Sequence, residues 1–336
     1  MRIPYFDFLR GIAIIMVVFI HCLAFCYTPL NIPLPAIVAR NLMNVAVPIF
    51  FAISGYFLAS KQMANGGYTS FLKKQIPRVY IPVLFCSLYY LFNDISDGRI
   101  AMPIIHFVTC GYSIYYFIAV IIQCYLLLWI LKKYVSKKAV IVLAIIGCLW
   151  WAVINYLFGL YMGQSLPLAL YAGTFFPWGA FFMLGLYYGS RLYSQRIDKQ
   201  SVIIGLIVVF LFLSIAESFF FIDSTSSLNG LGQKASAFCM DFLVCILILQ
   251  RKTRDRFTQF ENICLFRFAC VLGRYSFGIY LIHFFILSSN NKCQFLSMNS
   301  SIKWIVFSVV SIVVSLVLLL LFKKILPKTT RVLLGV

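Results

Sequence analysis

Apolar segments of about 20 residues, parted by short polar breaks, run from one end of this 336-residue chain to the other. Each is long enough to cross a hydrocarbon core. The spans read as 8–28, 43–60, 77–95, 114–131, 139–158, 170–190, 201–222, 235–250, 269–289 and 302–325. A bundle of about ten transmembrane helices is therefore expected, with the second and eighth short. Continuous apolar runs exclude a β-barrel, whose strands alternate. Only 11% of residues are charged, 62% are hydrophobic and the mean hydropathy is +0.96, all outside the range of soluble domains.

Charge supplies an orientation. With the N-terminus inside, all but five of the 28 lysines and arginines fall on inner loops or helix ends. The outer set is Arg40, Arg99, Lys234, Lys292 and Lys303. This positive-inside pattern puts both termini in the cytoplasm. The net charge of +19 then follows from topology and attraction to anionic membrane lipids. A nucleic-acid partner would need a basic soluble module, which is missing. Leu23-Ala24-Phe25-Cys26 puts Phe where a signal-peptide cleavage site wants a small residue, so the first helix reads as retained.

One domain spanning 1–336 is expected, with no linker, internal repeat or low-complexity tract. The eleven cysteines include Cys22, Cys86, Cys124, Cys148, Cys239 and Cys245 within spans, where they act as small hydrophobes. No CxxC occurs, and no metal site is expected. Cys110 and Cys293 both face outward, which leaves a disulfide between them open.

Ionisable groups inside a membrane are costly and so point to function. The census is His21, Glu217, Asp241 and His283, with Asp7 and Arg10 at the inner mouth; His106 reads as a solvated loop residue. His21 lies eleven positions after Arg10. At 100° per residue that is three turns plus about 20°, so the two share a helix face about 16 Å apart. A topology anchor would explain Arg10 alone, and an interhelical hydrogen bond would explain His21 alone. Together they describe a cation that can hold phosphate at the interface and a deeper imidazole that can act as a base or be acylated. By the same count Ser276, Tyr280 and His283 fall within about 60° of one face. An aromatic belt and an interfacial site explain Tyr280 and His283 equally well.

Asp7-Phe8-Leu9-Arg10-Gly11-Ile12-Ala13 with His21 resembles the N-terminal signature of the acyltransferase 3 family, an Arg or Lys followed by ten residues and a His. Three further stretches are similar to that family. Val47-Pro48-Ile49-Phe50-Phe51-Ala52-Ile53-Ser54-Gly55-Tyr56 looks like its second-helix motif. Phe71-Leu72-Lys73-Lys74-Gln75-Ile76-Pro77-Arg78, with Pro82, looks like the basic entry to its third helix. Gly273-Arg274-Tyr275-Ser276-Phe277-Gly278-Ile279-Tyr280-Leu281-Ile282-His283 looks like its late Ser-x-x-x-Tyr-Leu-x-His stretch. Members often carry Arg-x-x-Arg in the third-helix motif; here the pair is Gln75 and Arg78, with Lys73 or Lys74 as substitute charges.

The resemblance implies an inner-membrane O-acyltransferase of bacterial type. It would move an acyl group, acetyl foremost, from cytoplasmic acyl-coenzyme A to a hydroxyl of a surface glycan or lipid-linked sugar. Arg10, Arg78 and Lys74 would hold donor phosphates. His21 would be the base or the transient acyl carrier. Ser54 would help stabilise an oxyanion, unless Ser54-Gly55 merely lets helices pack closely. His283 would line the acceptor pocket, with Glu217 and Asp241 touching acceptor hydroxyls or pairing with His283. The alternative is a transporter or flippase for a glycolipid or polyprenyl-linked sugar, which intramembrane His and acidic groups also suit. The sequence is silent on oligomeric state.

Overall fold

The computed structural model describes residues 3–61, 67–96, 101–164, 166–190, 199–225, 228–290 and 299–335. Arg2, Arg99, Arg191, Arg196, Lys292 and Cys293 lie outside them, so the proposed Cys110–Cys293 pairing does too; Cys110 itself is a buried thiol. The described residues form α1 (Pro4–Cys26), α2 (Leu34–Met43), α3 (Ala46–Ala59), α4 (Gly67–Ser96), α5 (Ala101–Thr109), α6 (Tyr116–Lys133) and α7 (Lys137–Ala152). There follow α8 (Leu168–Tyr171), α9 (Gly179–Gly189), α10 (Gln200–Thr225), α11 (Ala235–Leu249), α12 (Arg251–Phe257), α13 (Cys264–Asn290), α14 (Ser300–Ile325) and α15 (Pro327–Leu333). No strand occurs among them.

Among the described residues, eight stretches are long and apolar enough to cross a membrane, including Leu34–Ala59, which joins α2 to α3, and Lys137–Tyr161, which extends α7 by the π-helical segment Val153–Tyr161. The protein is thus a multi-pass helical membrane protein. Two of the ten expected spans are shorter than a crossing. Segment 235–250 is the 15-residue α11, and 170–190 breaks into α8 and the 11-residue α9. At 1.5 Å per residue α9 covers about 16 Å, half a hydrocarbon core. The outward faces of α10 and α14 carry Val209, Phe212, Val313 and Leu320, as lipid-facing helices should.

Both irregular stretches are repaired by distant side chains. Pro48 has no N–H to offer the Asn44 carbonyl four residues back. Gln233 Nε2 donates to that carbonyl instead, at 3.0 Å. Between α8 and α9 the carbonyls of Tyr171, Ala172 and Gly173 accept from Trp150 Nε1, Trp178 Nε1 and Gln123 Nε2 at 3.2, 2.8 and 2.7 Å. Non-helical backbone at depth survives only with such partners.

Two helix pairs meet backbone to backbone. A Cβ on Gly273 would lie 1.7 Å from the Asp7 carbonyl oxygen, and one on Gly11 would lie 1.9 Å from that of Ala269. Thus α13 lies directly on α1, parallel to it, since His283 also neighbours His21 further along. Gly55 and Gly185 bring α3 onto α9 in the same way, against Phe182 and Ala52. Small residues permit this approach where no hydrophobic effect drives helices together.

Candidate active site

The paired helices α1 and α13, with α3, α4 and α6, enclose a cavity of about 270 Å³. Arg10, Ser54, Tyr125 and Arg274 line it, as do His21, Ser276 and Tyr280, with Phe50, Phe117 and Phe277 among its apolar walls. Arg10 and His21 both open into this one space, as their shared helix face requires. Ser54 and Gly55 divide two roles between neighbours: the serine faces the cavity while the glycine takes the close packing of α9.

At the end near the α1 N-terminus, Asp7 is buried and sits between two guanidiniums. Its Oδ1 lies 3.7 Å from Arg10 Nη1 and its Oδ2 lies 3.6 Å from Arg274 Nε. Arg10 also lies over the Phe57 ring at 5.2 Å. Lys74 and Arg78 do not line the cavity. Both are exposed on α4 and gather with Lys61, whose ammonium is held below its ordinary value by burial and then by the like charges of Arg78 and Lys74. The second arginine beside Arg10 is therefore Arg274, not Arg78. Sequence reading missed it because the partnership runs between helices distant in the chain; its position two residues before Ser276 was the only signal.

At the other end His21 is half-buried, and its ring centroid is 5.5 Å from that of His283. His283 does not line the cavity. It is fully buried behind His21, and its Nδ1 is 3.0 Å from the Ile279 carbonyl. A carbonyl only accepts, so Nδ1 carries the proton and Nε2 is left as an acceptor. That Nε2 has no partner among the described residues. Tyr280 is fixed by its hydroxyl, which donates to the Ile114 carbonyl.

The acidic residues lie elsewhere. Glu217 accepts from the Tyr156 hydroxyl at 2.7 Å and from Ser236, and it borders a separate cavity of about 530 Å³ with Cys148 and Cys239. Asp241 accepts from Gln233 at 2.6 Å. Neither pairs with His283, contrary to the sequence expectation. Nor are Arg40 and Lys234 outer surface charges: Arg40 is half-buried and bonded to Asn44, while Lys234 is 1% exposed. His106 lies on α5, half-buried against Tyr112, and not in a solvated loop.

The cavity of this membrane protein thus has basic residues at one end, apolar walls and an imidazole at the other end. Residues 3–322 match the family model of an acyltransferase domain, acyltransferase 3, and the chain belongs to this family of membrane acyltransferases. No curated protein and no solved structure matches the chain.

Proposed function

We propose that the protein is an O-acyltransferase of a bacterial-type inner membrane, with both termini cytoplasmic. It carries an acyl group, acetyl foremost, from acyl-coenzyme A to a hydroxyl of a surface glycan or lipid-linked sugar. The observation that carries this reading is that Arg10, Ser54 and His21 border one cavity. The orientation rests on the basic groups at the Arg10 end of the bundle: Lys132 bonded to the Leu58 and Lys61 carbonyls, Arg254 to Tyr56, and Lys323 to Tyr275.

The donor enters with its phosphates at Arg10, where guanidinium geometry suits them. Arg78 and Lys74 form an outlying basic patch that attracts the donor electrostatically. The arm runs through the aromatic throat and brings the thioester to His21. His21 then works in one of two ways. As a general base its imidazole takes the acceptor hydroxyl proton while the oxygen attacks the thioester carbonyl. The C–S bond breaks, and the thiolate leaves with the proton returned from His21. As a nucleophile the imidazole nitrogen takes the acyl group itself, releases the thiol, and passes the acyl group to the hydroxyl in a second step. Ser54 lies where it can donate to the carbonyl oxygen as that oxygen gains charge. His283 packs behind His21 and limits its ring positions. Family membership favours this enzyme over the carrier reading.

Membranes given acyl-labelled acyl-coenzyme A test the proposal. Label should appear in extracted glycan or glycolipid, and His21→Ala at normal protein level should abolish it. Undiminished label in that variant would remove His21 from the chemistry. Acyl-coenzyme A turnover to free thiol without acceptor, giving a hydroxylamine-sensitive acylated protein, would select the two-step route.

A further inference from the structure

We propose that Arg274 is a second donor-binding residue. With Arg10 it grips a phosphate of the acyl donor, and Asp7 is the positioning residue that aims both guanidiniums. The inference rests on the acyltransferase reading and names a subsite within it.

Three observations converge. First, Arg10 and Arg274 come from helices far apart in the chain yet line the same end of the cavity. Their convergence is built into the backbone, because Gly273, next to Arg274, touches the Asp7 carbonyl where a side chain would not fit. Second, the two arginines contact different oxygens of one carboxylate that is only 5% exposed. At 3.6 and 3.7 Å these are ion pairs longer than hydrogen bonds, so Asp7 orients the cations without taking up a fork of Arg274. Third, the cations keep an open side: 50% of the Arg274 side chain is exposed and 31% of Arg10. Both guanidiniums line the cavity beside that carboxylate and present this exposed surface to it. A phosphate supplies the complementary charge and the planar oxygen pairs that guanidinium forks hold best. Arg78, exposed on α4, has no such counter-ion among the described residues to fix its geometry.

An anionic lipid headgroup offers the same phosphate chemistry, and the test separates the two. Full-length purified protein is placed in phosphatidylcholine vesicles, with and without phosphatidylglycerol. Coenzyme A and pantetheine, which has the same thiol arm and no phosphate, are titrated by ligand-induced thermal stabilisation. Arg274→Ala should weaken coenzyme A binding about tenfold or more, the usual size of a lost charge-assisted contact, in both vesicle types. Pantetheine binding should stay within about twofold. Arg274→Lys should recover part of the loss, and Asp7→Asn should weaken coenzyme A but not pantetheine, with Asp7→Glu recovering part.

Equal losses for both ligands would make Arg274 merely structural and overturn the proposal. So would unchanged coenzyme A binding, or an effect seen only with phosphatidylglycerol and independent of coenzyme A. A wild-type protein that binds no coenzyme A would instead overturn the acyltransferase reading itself.

Discussion

Both ends of this bundle bury charge, and they do so in opposite ways. Near the end of α1 that bears His21, the Lys234 ammonium is 1% exposed, and its three protons meet Asn41 Oδ1, Ser218 Oγ and the Gly230 carbonyl at 3.0, 2.8 and 3.0 Å. Ser214 donates to the same Asn41 oxygen at 2.6 Å. This cluster ties α2, α10 and α11 together and leaves no donor of the ammonium spare. At the other end Asp7 gathers Arg10 and Arg274, yet both guanidiniums keep an open side toward the cavity. A satisfied polar network rigidifies a fold, whereas an open one in the membrane marks a place where something binds. By this criterion Lys234 is structural, and the arginine pair is where we propose that the donor binds.

The contrast can be broken by substitution. The largest effect is expected for Gly273→Ala. Its Cβ would meet the Asp7 carbonyl at 1.7 Å, so α13 must move off α1 and the arginine pair must separate. Acyl transfer should fall more than about tenfold and the thermal midpoint should drop, because backbone there has no room to yield. Retained activity with an unchanged midpoint would mean that the helix contact is looser than described. Next comes Arg10→Ala, which should weaken coenzyme A binding about tenfold while leaving the thermal midpoint of the unliganded protein nearly unchanged.

Lys234→Met should show the reverse. Losing the ammonium removes one donor each from Asn41, Ser218 and the Gly230 carbonyl, at a cost of about 1–3 kcal/mol in stability, while coenzyme A affinity stays the same. If Lys234→Met instead weakened coenzyme A and Arg10→Ala instead lowered the midpoint, the assignment of the two clusters would be inverted. The smallest effect belongs to Arg78→Ala: an exposed cation off the cavity wall should change donor affinity less than about twofold at physiological salt, because its field is screened.

What the sequence revealed and what it hid follow one physical line. Helix positions were legible because apolar length is a local property, and all but two of the expected spans are matched by crossing-length stretches. The shared face of Arg10 and His21 was legible because it depends on helical period alone. The break between α8 and α9 was not, since it persists only because Trp150 and Gln123 supply hydrogen bonds from other helices. Arg274 was hidden for the same reason: nothing near it in the chain announces Asp7. Likewise Glu217 and Asp241 looked available to His283, but their partners, Tyr156 and Gln233, are set by how α10 and α11 pack.

The central claim is that Arg10 and His21 serve one extended donor, the first by binding and the second by reacting. Initial rates of acyl transfer, measured against acyl-coenzyme A concentration in membranes with matched protein levels, test it most directly. His21→Ala should lower kcat about a hundredfold or more, the scale of a lost base or nucleophile, whereas Arg10→Ala should chiefly raise the donor KM. A His21→Ala enzyme turning over at the wild-type rate would contradict the account.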